Sequence, residues 1–177
     1  MQLQNSTKEK KAPAITVAQS GVLIALALVF SYVEHLIPIP TPIPGIKIGL
    51  ANLVSLTGLF FLNPLQVFII LVARIILAGL MFGNLSTIIY SLAGGMVSFA
   101  IMFVFKKLKQ FSALGISMLG GVFHNLAQLC VACIILNSTS LLMYLPVLII
   151  AGTVSGILIG TVTELVSKSV RRIFYSS

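Results

Sequence analysis

The chain has 177 residues, of which 58% are hydrophobic and only 8% are charged, and its mean hydropathy is +1.13. Soluble domains carry about 25% charged residues, so this composition excludes an ordinary water-facing surface and predicts an integral membrane protein. The net charge of +8 does not indicate nucleic-acid binding. The lysines and arginines lie beside and between apolar segments, and they form no basic face that would follow a phosphate backbone.

Six apolar segments follow one another along the chain, separated by proline, glycine, asparagine and basic residues. A helix that crosses a bilayer needs about 20 residues. The predicted spans are approximately Ile15–Ile37, Ile46–Leu62, Leu65–Phe82, Ser86–Phe105, Ala113–Leu136 and Leu141–Val166. We therefore predict an all-α protein with a six-helix transmembrane domain at residues 15–166, an N-terminal tail at 1–14 and a basic C-terminal tail at 167–177.

The break between the first two spans has an unusual composition. Residues 37–53 read IPIPTPIPGIKIGLANL, and alternating prolines favour an extended, polyproline-like backbone without helical hydrogen bonds. The segment 38–46 is therefore predicted to be a proline-rich outer loop that covers a binding site.

The distribution of positive charge predicts the orientation in the membrane. Three cations precede the first span, three lie between the fourth and fifth, and three follow the sixth. On the opposite side Lys47 is the lone cation, and Arg74 lies within the third span. Because cytoplasmic segments are enriched in Lys and Arg, both termini are predicted to be cytoplasmic, in a multi-pass protein of the cell membrane.

Ionisable and amide side chains within the apolar spans mark the candidate site. A charge near the bilayer centre costs at least about 2.5–3.5 kcal/mol. Most of these groups fall in the outer half, which favours an outward-opening pocket; the alternative is a set of structural pairs such as Glu34 with Arg74. The candidate substrate-binding residues are Glu34, His35, Lys47, Asn52, Arg74, Asn84, Tyr90, His124, Asn125 and Gln128.

Small residues spaced four apart form faces on several predicted helices. They are Gly79 with Gly83, Gly152 with Gly156 and Gly160, and Gly21 with Ala25. This spacing places them on one side of a helix and lets another helix approach closely. The sequence leaves open whether these faces pack within the chain or dock onto a partner.

Motifs for catalysis are missing from the sequence. It contains no aspartate, its three acids are Glu9, Glu34 and Glu164, and no G-x-x-x-x-G-K-[ST] loop occurs. Mg²⁺-dependent prenyl transfer requires clustered carboxylates, and ATP hydrolysis requires a phosphate-binding loop. We therefore predict no enzymatic activity, no cofactor and no metal site.

Three segments together resemble a known family. They are PGIKIGLANLVSL at 44–56, LMFGNLSTIIYSLAGG at 80–95 and GGVFHNLAQL at 120–129. These segments are similar to the Gx transporter family, also labelled heptaprenyl diphosphate synthase component I. That family in turn resembles the substrate-binding S components of energy-coupling factor (ECF) transporters.

The resemblance implies a membrane subunit of the prokaryotic cytoplasmic membrane that captures a small molecule for ATP-driven uptake. A vitamin, or an isoprenoid- or quinone-related precursor, would suit it, and the cations Lys47 and Arg74 suggest a negative group on the substrate. Gly21 and Ala25 would dock onto a transmembrane coupling protein that two ATPase subunits drive. Two alternatives stay open: a non-catalytic membrane accessory subunit of an isoprenoid (heptaprenyl diphosphate) synthase, and a self-sufficient secondary carrier.

Overall fold

The computed structural model describes residues 2–36 and 49–175, with side chains at positions 14–36, 49–170 and 172. Over this part of the chain the structure is helical and has no strand, which confirms the predicted all-α fold. The helices are α1 (Gln2–Leu36), α2 (Asn52–Phe61), α3 (Pro64–Phe82), α4 (Leu85–Leu108), α5 (Ala113–Ile135) and α6 (Leu145–Tyr175), with a 3-10 helix (Thr139–Tyr144) before α6. The predicted proline-rich loop at 38–46 and Lys47 lie outside the described residues.

Five of the described helical segments are long and apolar enough to cross a membrane, and α2 is the exception. It has ten residues, which at 1.5 Å per residue span about 15 Å, half of a hydrocarbon core of about 30 Å. The helix predicted to begin near Ile46 begins instead at Asn52. Gly49, with φ of +83°, adopts the left-handed conformation that favours glycine, and its carbonyl accepts a hydrogen bond from the Asn52 backbone N–H at 2.7 Å.

Polar residues at the predicted breaks begin the following helices. The side-chain oxygens of Asn63, Asn84 and Ser112 accept backbone N–H bonds at 3.0, 2.9 and 3.1 Å at the starts of α3, α4 and α5. Such N-caps satisfy backbone donors that have no partner within the helix. Pro64 and Pro146 lie in the first turns of α3 and α6, where proline does not interrupt helical hydrogen bonding.

Helix α2 lies in the middle of the bundle, in contact with α1, α3, α4 and α6. Six of its ten residues are buried. Leu56 and Leu59 are the centre of a core cluster that also contains Val67 of α3 and Met102 of α4. The longer helices surround α2 and present their remaining apolar faces outward.

The glycine face of α6 packs against α5. A Cβ atom added to Gly156 would lie 2.6 Å from Met118 Cα, and one added to Gly160 would lie 2.8 Å from Leu114 Cα. Gly152 has a similar contact, since its Cβ would lie 2.7 Å from the carbonyl oxygen of Gly121 on α5. These glycines therefore pack within the chain and let the two backbones touch.

The other two small-residue faces differ from each other. A Cβ on Gly79 would collide with the Ile88 side chain, so this glycine allows α3 to approach α4. On α1, nothing within the described residues lies within 4 Å of a Cβ added to Gly21, and Ala25 is exposed. The α1 face is therefore free of contacts from the described part of the chain.

We expect Gly156→Ala to destabilise the bundle by about 1–3 kcal/mol, because the added methyl group meets backbone atoms that have no space to move. The measurement is the midpoint of thermal unfolding in detergent. Gly21→Ala is the matched control and should leave the midpoint unchanged or raise it slightly. Equal midpoints for the two variants would contradict the described packing of α5 on α6.

Candidate functional site

Three buried side chains from different helices meet near the start of α2. Glu34 of α1 is 6% exposed, and Asn52 of α2 and Arg74 of α3 are each 8% exposed. Arg74 Nη2 donates a hydrogen bond to Asn52 Oδ1 at 2.6 Å, and the Gly49 backbone N–H donates to Glu34 Oε1. Glu34 and Arg74 also attract each other electrostatically. The structure thus brings together residues that lie 40 positions apart in the sequence.

A second buried polar group lies on α5. The Nε2 atoms of Gln128 and His124 are 3.1 Å apart, one helical turn along the chain. Asn125 Nδ2 donates to the carbonyl oxygen of Leu148 at 2.9 Å, which ties α5 to the first turns of α6. All three side chains are buried, as expected for polar groups that face the interior of a membrane bundle.

Two small cavities join these polar groups. One has a volume of about 30 Å³ and lies between Glu34, Arg74 and His124. The other, of about 10 Å³, lies deeper among α2, α4, α5 and α6. Gly49, Asn52 and His124 border both cavities. A buried water needs about 10–15 Å³, so each space is water-sized and a larger ligand requires side chains to move.

Several buried polar atoms at these cavities have no hydrogen-bond partner among the described residues. They include Arg74 Nε and Ser98 Oγ, which belong to residues that line the larger and the smaller cavity respectively. Gln128 Oε1, beside His124, is also unsatisfied, but Gln128 borders neither cavity. Each unmet polar atom costs about 1–3 kcal/mol, so the bundle carries a cost in stability around these cavities.

Three of the predicted site residues that the structure describes, His35, Asn84 and Tyr90, lie apart from this cluster. His35 is exposed and stacks on Phe82, with 6.3 Å between the ring centroids. Asn84 is exposed and caps α4, and Tyr90 is buried in α4 but borders neither cavity. Lys47 lies outside the described residues.

Small polar residues that sequence reasoning missed complete the cavity walls. They are Ser31, Thr87, Ser91, Ser98, Ser117 and Ser155. On α4 they follow a helical spacing, with Ser91, Gly94 and Ser98 on one face. A Cβ on Gly94 would lie 2.9 Å from His124 Cε1, so this glycine brings α4 against the polar face of α5. The spacing of these small residues along α4 is the sequence pattern that could have predicted a helix face lining the cavities.

A lysine contributes at the opposite end of α2. Lys106 Nζ donates a hydrogen bond to the carbonyl oxygen of Leu59 and lies 5.6 Å from the centroid of the Phe60 ring. The last carbonyl groups of a helix have no partner within the helix, and a cation is favourable there. Lys106, counted in the sequence only as a topology signal, therefore also holds α2 in place.

This arrangement defines a helical membrane protein with a polar site enclosed in an apolar bundle. A family model described as heptaprenyl diphosphate synthase component I matches residues 23–166, a range that contains every candidate residue from Glu34 to Gln128. The chain belongs to this family, which is the Gx transporter family that the sequence motifs suggested. Comparisons with curated proteins and with solved structures found no significant match.

We expect the charges of Glu34 and Arg74 to be energetically coupled. Arg74→Met alone should lower stability by about 3–5 kcal/mol, because it leaves a buried carboxylate without its cation. The double variant Glu34→Gln with Arg74→Met should cost less than the sum of the single changes, by about 1–3 kcal/mol. Thermal unfolding of all four proteins in one detergent measures this difference. Strictly additive effects would show that the two side chains do not interact.

Proposed function

We propose that the chain is the substrate-binding S component of an ECF-type importer in the prokaryotic cytoplasmic membrane. In this function it captures a small molecule at the outer face, and partner subunits drive uptake with ATP. The observation that carries the proposal is the buried cluster of Glu34, Asn52 and Arg74 beside cavities whose lining residues include unsatisfied polar atoms.

Energetics support a ligand-binding role for this cluster. Replacing a buried ion pair by well-packed apolar residues is often neutral or stabilising, so a membrane bundle gains little stability from enclosing Glu34 and Arg74. The unmet Arg74 Nε adds a further cost. Such costs are expected where a site must remain ready to bind a polar molecule.

The positions of charged residues support an outward-facing site. Lys106, Lys107 and Lys109 lie at the end of α4, and the Glu34 cluster lies towards the opposite end of the bundle. If the lysines face the cytoplasm, as their number favours, the site is nearer the outer surface. A contribution of Lys47 to substrate binding stays a prediction.

The exposed face of α1 supports a partner in the membrane. Gly21 and Ala25 lie on it, beside an almost wholly apolar groove of about 760 Å³ between α1, α2 and α6. Small residues let a partner helix approach closely. The partner proposed is the transmembrane coupling protein with two ATPase subunits, since this sequence has no phosphate-binding loop of its own.

The name of the family favours one alternative function. A component I of heptaprenyl diphosphate synthase would be a membrane accessory subunit beside a separate catalytic subunit. The absence of aspartate from this sequence agrees with a non-catalytic role in both functions. We therefore propose that the chain is not itself an enzyme.

We expect the purified protein to retain a small molecule that native mass spectrometry detects. Arg74→Lys should lower the occupancy at least about tenfold, because lysine keeps the charge but loses the planar fork of donors. The control is Arg172→Lys, at an exposed position near the end of α6, which should retain the molecule. Equal occupancy in both variants would exclude Arg74 from the site.

We expect affinity purification from native membranes to recover a coupling protein and two ATPases. Gly21→Leu should reduce their recovery at least about tenfold, since a bulky side chain prevents close helix contact. The matched control is Ala100→Leu, at an exposed position of α4.

Two other results would favour the alternative functions. Recovery of a prenyltransferase without ATPases would favour the accessory-subunit function. Uptake driven by an ion gradient, with the purified chain alone in vesicles, would contradict the importer proposal and indicate a secondary carrier.

A further inference from the structure

We infer that the end of α4, where Lys106, Lys107 and Lys109 form a lysine cluster, binds the headgroup of an anionic phospholipid, with Lys106 as the principal contact. The inference goes beyond the proposed function, because this cluster lies at the end of α2 opposite the Glu34 site and takes no part in substrate capture. Three features carry it: the depth of the lysines in the membrane, the donors that Lys106 has left, and the apolar surface beside them.

The length of α4 places the lysines at the level of the lipid phosphates. Its 24 residues span about 36 Å at 1.5 Å per residue, which exceeds a hydrocarbon core of about 30 Å. The charged residues of α4 are Lys106 and Lys107, both in its last turn. With the uncharged part of α4 in the hydrocarbon, these two lysines lie at the boundary, where phospholipid headgroups begin.

Lys106 keeps donors free after it holds the end of α2. An ammonium group has three N–H donors, and Lys106 uses one of them for the carbonyl oxygen of Leu59. Its ammonium also lies over the Phe60 ring, and it has no ion pair among the described residues. The side chain is half-buried, so a phosphate oxygen can reach the remaining donors from the membrane surface.

The aromatic contacts hold two ammonium groups in place before any lipid binds. Lys106 Nζ lies 5.6 Å from the centroid of the Phe60 ring, and Lys107 Nζ lies 4.7 Å from that of Phe103. A cation over the face of a ring is attracted to it. An exposed lysine normally loses rotamer entropy when it binds, and a side chain that is already ordered loses less. The cluster is therefore prepared for an anionic group.

Apolar side chains beside the lysines indicate an amphiphilic occupant. Val104, Leu108 and Phe111 are 50%, 52% and 42% exposed. Val104 and Leu108 lie on one face of α4, and Lys107, three residues after Val104, lies next to that face. A phospholipid offers a phosphate to the lysines and an acyl chain to the apolar side chains. Inorganic phosphate would satisfy only the first of these contacts.

The test is a lipid titration of the full chain, purified in detergent and followed by native mass spectrometry. The probes are phosphatidylglycerol and phosphatidylcholine with identical acyl chains. Both carry a phosphate, but the choline cation cancels its charge. We expect phosphatidylglycerol to bind at least about tenfold more tightly, because three lysines attract its net charge. Inorganic phosphate in large excess should leave the bound phosphatidylglycerol in place.

Variants of single lysines test the assigned contact. Lys106→Gln should weaken phosphatidylglycerol about tenfold or more and leave phosphatidylcholine unchanged, whereas Lys106→Arg keeps the charge and should retain the lipid. Lys168→Gln is the matched control: it removes one exposed charge from α6, outside the cluster, and should change the affinity less than about twofold.

A second variant guards against unfolding of Lys106→Gln, which also weakens the hold on α2. Lys107 is exposed and its ring contact lies within α4, so Lys107→Gln leaves the contacts between helices intact. We expect it to weaken phosphatidylglycerol about fivefold.

Four results would contradict the inference. Equal affinity for the two lipids would show that the headgroup charge is not recognised, and equal losses in Lys106→Gln and Lys168→Gln would leave only a general attraction to a positive surface. Displacement of phosphatidylglycerol by inorganic phosphate would indicate a soluble anion. Unchanged phosphatidylglycerol affinity, combined with lost recovery of partner proteins in Lys106→Gln, would assign the cluster to an acidic protein surface.

Discussion

A ten-residue helix in the centre of a membrane bundle must find polar partners at both of its ends. In a bilayer core no water is present to satisfy backbone groups, and each unmet group costs several kcal/mol. At the end of α2, Lys106 donates to the Leu59 carbonyl. At its start, Glu34 accepts from the turn at Gly49, and Arg74 donates to Asn52. Among the described residues, the buried charges Glu34 and Arg74 thus both lie at the start of α2, and the partly buried Lys106 lies at its end.

Structural pairing and ligand binding are therefore not exclusive explanations of the polar cluster. Arg74 holds the first residue of α2, it lines the larger cavity, and its buried Nε has no hydrogen-bond partner among the described residues. A ligand that competes for Arg74 would act directly on the start of α2. The other side of α2, through Val54 and Gly58, borders the apolar groove next to α1. One short helix is consequently shared by the candidate site and by the proposed partner surface.

The sequence predicted most of the fold because apolar length and helix caps are local signals. It also selected Glu34, Asn52, Arg74 and His124, since ionisable and amide groups stand out in apolar spans.

The length of α2 escaped prediction: residues 46–51 are apolar enough to continue a helix, and hydropathy does not report the turn at Gly49. The outward position of His35 was equally hidden, because hydropathy does not specify which way a side chain near a helix end points. A single serine such as Ser98 does not stand out in the same way, since a hydroxyl within a helix can bond to its own backbone, and only the spacing of small residues along α4 points to it.

The two sides of the site differ in how firmly they are held. On one side, α4, α5 and α6 approach closely through glycines, and at Gly156 and Gly160 the opposing backbones leave no space for a methyl group. On the other side, α1 supplies Glu34, although only 11% of its apolar span is buried, against 22–33% for the other long spans. Closely packed helices resist displacement because each movement loses many contacts. Movement of α1 would lose fewer of them, so the carboxylate of Glu34 is attached to the helix that the bundle holds least.

Arg74, by contrast, belongs to α3, which packs between α1 and α4. Opening of the site between these two charges therefore requires the least loss of packing at α1.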